Sequence, residues 1–345
     1  MSEGAGVHTQ GSMDPEISVV IVSWNGRQYL DACLRAVEAQ RDVRAEVVLV
    51  DNGSTDGTGD FVRATFPRVR VVSLQENRGF AGGNNAGASE ARGTFLAFLN
   101  NDTVPEPDWL RTLLAGVDET TGFTLTTSRI VYMHDPQVID SAGDGLFRVG
   151  AAFKWHHGER TDTGTAVTEV FGVCGAACLM PRSVFNELGG FDADFFASHE
   201  DVDLSYRARL LGYRCRYVPD AVVRHHGSAT LGTMSAFAVF HGQRNLEWMY
   251  FKNTPASLLI RTLPSHVLYN AAAVVHFARC GRLWTFLKAK GAAMAGLPRL
   301  MAKRAQVQRT RRVDAGAIEP HLARGWLAAK VREKRFDVAL SRGRP

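Results

Sequence analysis

Long apolar runs are scarce in this 345-residue chain. Leu258–Ala278 is mostly apolar, yet its uncharged part, Thr262–Ala278, contains Pro264, Asn270 and two histidines. A membrane-crossing helix needs about 20 apolar residues, so the segment falls short of a span and reads as an interfacial helix. Cysteine is sparse too: Cys33, Cys174, Cys178, Cys215 and Cys280 are odd in number and scattered, which excludes a disulfide scaffold. Cys174 and Cys178 lack a second closely spaced pair, which argues against zinc. Met1–Pro15 is polar, rich in Gly and Ser, and lacks the charged-then-apolar pattern of a secretory leader. A flexible leader over 1–14 and reduced thiols in the cytoplasm are therefore expected. The glycine-rich Gly79–Gly87 lacks both G-x-G-x-x-G and G-x-x-x-x-G-K-[ST] spacing, which argues against a dinucleotide or P-loop site.

Acidic residues thin out toward the C-terminus. From Arg279 to Pro345 there are 17 Lys/Arg and 4 Asp/Glu, a balance of +13, so the whole-chain charge of +5 leaves −8 for residues 1–278. A basic tail on an acidic body implies an anionic membrane surface, nucleic acid or an oligomer interface, here a homo-oligomer, as partner. Its basic residues alternate loosely with Trp284, Phe286, Leu287 and Leu297, and no nucleic-acid motif is present. That pattern favours anionic lipid heads and no nucleic acid. The length accommodates one large α/β domain plus an appendage.

The first hundred residues carry the clearest pattern. Ile17–Val22, Val47–Val50, Val69–Leu74 and Thr94–Leu99 read as buried strands, and the segments between them suit helices, one of them capped by Asn25. Strands alternating with helices imply a mainly parallel sheet with helices on both faces. Ligands in such sheets sit beyond the carboxyl ends of the strands, where three polar loops fall: Ser23–Gly26, Asp51–Asp56 and Asn100–Thr103. Further along, a helix is expected over Asp201–Leu211, with strands at Tyr213–Val218 and Ala221–Arg224. Residues 15–235 form the α/β domain in this reading, and 236–345 a helical, basic, membrane-associating region.

Three places carry chemistry. Asp102, immediately after a buried strand, suits a divalent cation ligand or the cap of a helix starting near Pro105. In His199-Glu200-Asp201-Val202-Asp203, Glu200 and Asp203 share a helix face while Asp201 points elsewhere. The first helical turn favours ionised carboxylates, which suits a general base and equally an ordinary acidic helix start. His225-His226, ending a strand, offers a third ligand or a structural histidine.

In order, Val19-Val20-Ile21-Val22-Ser23-Trp24-Asn25-Gly26, Val50-Asp51-Asn52-Gly53-Ser54-Thr55-Asp56-Gly57, Asn77–Asn85, Phe98–Thr103, Glu200–Leu204 and His225-His226-Gly227 resemble glycosyltransferase family 2 over about residues 17–230. The resemblance implies a GT-A nucleotide-diphospho-sugar transferase fold with a C-terminal helical extension, and an inverting transfer of sugar from a nucleotide-sugar donor. Within the family the chain looks most like bacterial rhamnosyltransferases acting on lipid-linked saccharides. It implies Asp201 as catalytic base, and Asp102 with His225, rather than His226, as ligands of Mg²⁺ or Mn²⁺. Asn100 stands where many members have a first acidic ligand. Asp51, Asn52 and Ser54 fall at the nucleobase and ribose, and Asn77 and Asn85 in the adjoining donor loop. Ser23, Asn25 and Asn101, in the strand-end loops, complete the donor-side set. Cys174, Gly175, Asp192 and Glu200 fall on the acceptor side. The implied donors are dTDP-, UDP- or GDP-linked, with dTDP-rhamnose as the specific expectation, and the acceptor a polyprenyl-diphosphate-linked or other glycan in cell-envelope polysaccharide synthesis. The implied location is the inner face of the cell membrane, peripherally attached. A catalytically idle sugar-nucleotide or glycan-binding module is the alternative.

Overall fold

The computed structural model describes residues 14–227 and 234–342, so nearly all of the expected leader lies outside the described residues. Strand and helix alternate first: β1 (Ile17–Ser23), α1 (Arg27–Glu38), β2 (Ala45–Asn52), α2 (Thr58–Thr65), β3 (Arg70–Leu74), α3 (Gly79–Glu90) and β4 (Phe95–Asn100). These strands pair in parallel in the order β3-β2-β1-β4, with Ile17 beside both Ala45 and Phe95. Val19 and Ile21 pack with Leu30, Leu34 and Val62 on one face, and Val20 packs with Ala81 and Ala88 on the other. A strand covered on both faces has no solvent side, so its apolar run is unbroken by alternation.

The glycine-rich segment is itself α3 rather than a loop leading into a helix. A Cβ at Gly83 would stand 2.7 Å from Val22 Cγ1, and one at Gly87 2.4 Å from Val20 Cγ1. These glycines let the helix lie close on the sheet. Asn25 is not the cap of α1: Gly26 holds that position. Asn25 instead adopts φ 50° and its side-chain oxygen accepts from Thr55 N at 2.8 Å.

The chain continues through β5 (Thr103–Pro105), α4 (Trp109–Ala115), β6 (Phe123–Tyr132), β7 (Ile139–Ser141), β8 (Asp144–Phe147), β9 (Ala152–Lys154), β10 (Thr168–Val170), β11 (Ala177–Pro181), α5 (Arg182–Glu187), α6 (Glu200–Leu210) and β12 (Arg214–His225). The sheet extends as β4-β11-β6-β12-β10. Here β11 runs antiparallel to both neighbours, while β12 is parallel to β6. Two short strands were expected over 213–224, but they are one strand whose register shifts between Val218 and Val222. Pro219, which has no N–H for a ladder, falls inside that shift. The expected helix near Pro105 is also absent: Thr103–Pro105 is β5, antiparallel to β12, and α4 starts only at Trp109. That removes the capping explanation of Asp102.

The remainder is α7 (Ala236–Asn253), α8 (Ala256–Arg279), α9 (Leu283–Ala295), α10 (Leu297–Thr310), α11 (Ala315–Ile318), β13 (Leu322–Ala323) and α12 (Trp326–Arg342). This region is built into the rest. Met249, Leu258, Ile318 and Leu322 share a core with Phe171, Phe195, Val202 and Tyr206, and β13 pairs with β8. Lys252, 1% exposed, bridges Asp192 at 2.6 Å and Asp203 at 2.7 Å. By length and composition α8 could cross a membrane, contrary to the short uncharged run in the sequence, because the helix extends beyond that run at both ends. Core helices of soluble proteins meet the same criterion.

Candidate active site

The carboxyl ends of β1, β2 and β4 lie side by side, with Ser23 opposite Asp51 and Val22 opposite Asn100. Side chains stitch the loops together. Asn101 Nδ2 donates to Ser23 Oγ at 3.0 Å, Ser54 N donates to Asp51 Oδ1 at 3.0 Å, and Asn25 N donates to Ser54 Oγ at 3.0 Å. Asn52, Asn77 and Asn85 all hydrogen-bond within the protein. Asn52, 2% exposed, donates to Asn77 Oδ1 and Gly79 O and accepts from Arg78 N. Asn77 Oδ1 also accepts from Gly79 N. Asn85 exchanges two hydrogen bonds with the Phe191 backbone, at 2.7 and 2.9 Å. A side chain whose groups are satisfied by the backbone holds a loop in place, and Asn52 and Asn85 do this.

Asp102 and His225 converge. The register of β12 on β5 sets His225 opposite Thr103, next to Asp102 in sequence. His225 Nε2 lies 3.3 Å from Asp102 Oδ1, and its Nδ1 lies 2.7 Å from Asp140 Oδ2. His226 is exposed and packs its ring on Tyr29 at 5.0 Å. Burial disfavours the Asp102 charge, but the His225 hydrogen bond and charge hold its carboxyl below the ordinary range. Burial likewise opposes the His225 cation, yet Asp102 and Asp140 raise it to about 9. Among the described residues no group of three or more ligating side chains is present. An oxygen and an imidazole nitrogen converging at a strand end still fit a Mg²⁺- or Mn²⁺-type ion that takes its other ligands from substrate phosphates and water.

The second cluster surrounds a cavity of about 360 Å³, whose lining includes Asp144, Lys154, Cys174, Glu200, Asp201 and Tyr269. Asp201 Oδ2 accepts from Gly175 N at 2.9 Å and its Oδ1 from Val202 N at 2.8 Å. A Cβ at Gly175 would lie 3.1 Å from Phe80 and 3.2 Å from Asp201 Oδ2, so glycine permits this approach. Burial raises the Asp201 carboxyl, and those two N–H groups act against the rise. Glu200 is 6% exposed and its Oε2 has no hydrogen-bond partner among the described residues. Burial, then the neighbouring Asp201, pushes Glu200 well above the ordinary range, and the helix start does not reverse that push. Burial also raises the Cys174 thiol, which makes it an inert wall. Asp192 does not reach this cavity. It lines another, of about 640 Å³, where Lys252 and Lys303 hold its carboxylate.

Several residues here carry no motif. Asp144 and Lys154 are register partners on β8 and β9. Asn245, fully buried on α7, donates from Nδ2 to the carbonyls of Phe195, Ala197 and Ser198 at 2.7–2.8 Å. Phe196, Ser198 and His199 all have positive φ, 63°, 72° and 69°. Such strain persists only where the surroundings over-determine it, and Asn245 does so for the strap leading into Glu200 and Asp201. The only signal in the sequence would have been an asparagine amid the apolar face of a helix.

The profile of the family described as Glycosyl transferase family 2 matches residues 18–189. The chain is 30% identical over 234 residues to a pre-mycofactocin glycosyltransferase of Mycobacterium tuberculosis, covering 67% of this chain and 47% of that protein. It therefore spans less than half the length of that relative. It is 27% identical over 242 residues to the N-acetylglucosaminyl-diphospho-decaprenol L-rhamnosyltransferase of the same organism, covering 64% and 79%. In fold it is similar to the mannosyltransferase PcManGT from Pyrobaculum calidifontis, solved with GDP-Man and Mn²⁺. The TM-score is 0.52 and the identity 19%, with 95% of this chain and 86% of that one covered.

Proposed function

The chain belongs to glycosyl transferase family 2 and has its GT-A fold, and from that premise we propose that it is an inverting glycosyltransferase using a nucleotide-sugar donor. The observation carrying this reading is Asp201: a half-buried carboxylate, fixed by two backbone N–H groups at a cavity wall, with lone pairs left over. Its raised proton affinity makes it a stronger base than an ordinary aspartate once ionised. Asp201 takes the proton of an acceptor hydroxyl as that oxygen bonds to the anomeric carbon. The bond to the diphosphate oxygen breaks on the opposite face, and one displacement inverts the centre. Asp102 and His225 would hold the divalent cation, which when bound supplies positive charge for the diphosphate leaving group. Glu200, its proton affinity raised by burial and by Asp201, can offer a hydrogen-bond donor in the same cavity.

The rhamnosyltransferase similarity supports rhamnose, from dTDP-rhamnose, as the sugar and a polyprenyl-diphosphate-linked saccharide as acceptor in cell-envelope synthesis. Such an acceptor requires a membrane surface. Ile260, Val267, Leu268 and Val275 form an exposed stripe along α8, and Trp284, Leu287 and Met294 are exposed on α9. Arg279, Arg282 and Lys288 lie among them in the chain. An apolar stripe with basic neighbours suits docking on anionic lipid at the inner face.

Asp201→Asn should abolish transfer while leaving nucleoside-diphosphate binding by calorimetry within about twofold. A variant with most of its activity would overturn the base assignment. A thermal-shift screen of nucleotide sugars with and without Mn²⁺ identifies the donor, since a ligand of the native state raises stability. Flotation with anionic vesicles should fall for Ile260→Glu with Trp284→Glu; unchanged flotation would remove the docking face.

A further inference from the structure

Asp140 stands outside every motif, in the middle of β7, and is 3% exposed. Its two carboxylate oxygens serve different partners. Oδ2 is 2.7 Å from His225 Nδ1, and Oδ1 accepts from Lys154 Nζ at 2.7 Å. Its backbone carbonyl lies 2.7 Å from His157 Nδ1, which is also 3.6 Å from Oδ1. One buried carboxylate thus touches the Asp102–His225 pair on one side and, through Lys154, the wall of the Asp201 cavity on the other.

The geometry has a chemical consequence for His225. When the ring is neutral, an imidazole whose Nδ1 donates to a carboxylate presents its lone pair at Nε2, so a cation arriving there takes the place of the Nε2 proton. Nε2 is the nitrogen aimed at Asp102. Among the described residues, Asp140 is the partner of Nδ1 and so sets the His225 ring plane and its neutral tautomer. An ion pair with Lys154 alone would be an ordinary way to bury a carboxylate, and would not require Oδ2 to be spent on His225.

We propose that Asp140 is the positioning residue of the site, orienting His225 so that Nε2 and Asp102 present a joint cation-binding face, while anchoring Lys154 at the acceptor cavity. The proposal rests on reading Asp102 and His225 as cation ligands. Partners of this type change metal affinity by about 10–100-fold when mutated.

The test measures Mn²⁺ binding directly, by calorimetry or by the electron paramagnetic resonance of free Mn²⁺, on the full chain. Asp140→Asn should weaken Mn²⁺ by about 10–100-fold. Lys154→Met, which spares the Asp140–His225 bond, should leave Mn²⁺ affinity within about threefold while lowering thermal stability. Wild-type affinity in folded Asp140→Asn overturns the proposal, and so does an equal loss in Lys154→Met, which would make the ion pair the determinant. Absence of Mn²⁺ binding in the wild type would instead bring down the cation reading, and the proposal with it. Should Asp140→Asn not fold, ¹⁵N-histidine spectra of the wild type decide. Mn²⁺ is expected to broaden the His225 Nε2 resonance before Nδ1, and the reverse order overturns the proposal.

Discussion

Asp102 and Asp140 are 6% and 3% exposed, Glu200 and Asp144 both 6%, yet the two pairs are shifted in opposite directions. Burial pushes all four carboxyls up. For the first pair, His225 and Lys154 reverse that push and hold the carboxyls below the ordinary range. For the second, the nearby Asp201 charge adds to it, and both are driven well above. Burial alone therefore decides nothing about a carboxylate; the sign of its neighbours does. One cluster is built to stay anionic and hold a cation, the other to hold or receive a proton. Lys154 lies between them.

The largest expected effect separates the two clusters in function. Asp102→Ala should weaken Mn²⁺-supported nucleoside-diphosphate binding by about 100-fold or more, exceeding the effect of an outer partner. Equal losses of binding in Asp102→Ala and Asp201→Asn would merge the clusters.

The strap that carries Asp201 should show the next effect. Asn245→Ala removes the Asn245 Nδ2 donor of the Ala197 and Ser198 carbonyls, each costing about 1–3 kcal/mol where buried, while Phe195 O keeps Ala197 N and Arg244 Nη2. A drop of about 2–3 kcal/mol in denaturant unfolding is expected, with turnover lost faster than Mn²⁺ affinity. A silent substitution would show that the strain is held by other contacts.

The pH dependence of turnover sharpens the contrast. Asp201 acts as a base only when deprotonated, and its carboxyl is raised by burial. The acid limb of the kcat/KM profile should therefore lie above the ordinary carboxylate value of about 4. Lys154→Met removes a cation that lowers Asp201, and should move that limb further up. A limb at the ordinary value would contradict the burial argument.

The smallest effect is expected in the metal-free protein. His225 is raised to about 9, so its ionised form stabilises the fold fully below its unfolded value of about 6.5. That contribution is lost as pH rises from there through 9. In EDTA, Tm should fall across this window by about 2–4 °C per kcal/mol lost, and His225→Gln should flatten the fall. A wild-type Tm that is level across the window would argue against the Asp102–His225–Asp140 chain.

Legibility in the sequence followed the same divide. The parallel half is nearly all local: Ile17–Val22 needs its apolar run because α1 and α3 cover both faces, and polar loops fall at strand ends because chain direction puts them there. Asp102 and Asp201 were recognisable from their short contexts. The reading of Asn52, Asn77 and Asn85 went differently. Their types and positions suit a ligand, but Asn52 and Asn85 spend their groups on backbone 26 to 106 residues away, a distance no local pattern reports. The surroundings of Asp192 are equally non-local, because its partners Lys252 and Lys303 come from α7 and α10.

By itself the sequence determined the alternating strands and helices, the family, and the identities of the carboxylates and histidine placed at the strand ends. Those features are encoded in short segments, through burial periodicity and chain direction. Packing across the fold sets which carboxylates are shifted down and which up, makes α7 grip the strap before Asp201, and joins His225 to Lys154 through Asp140. These depend on which side chains meet across the fold, and charge is set by neighbours in space rather than along the chain.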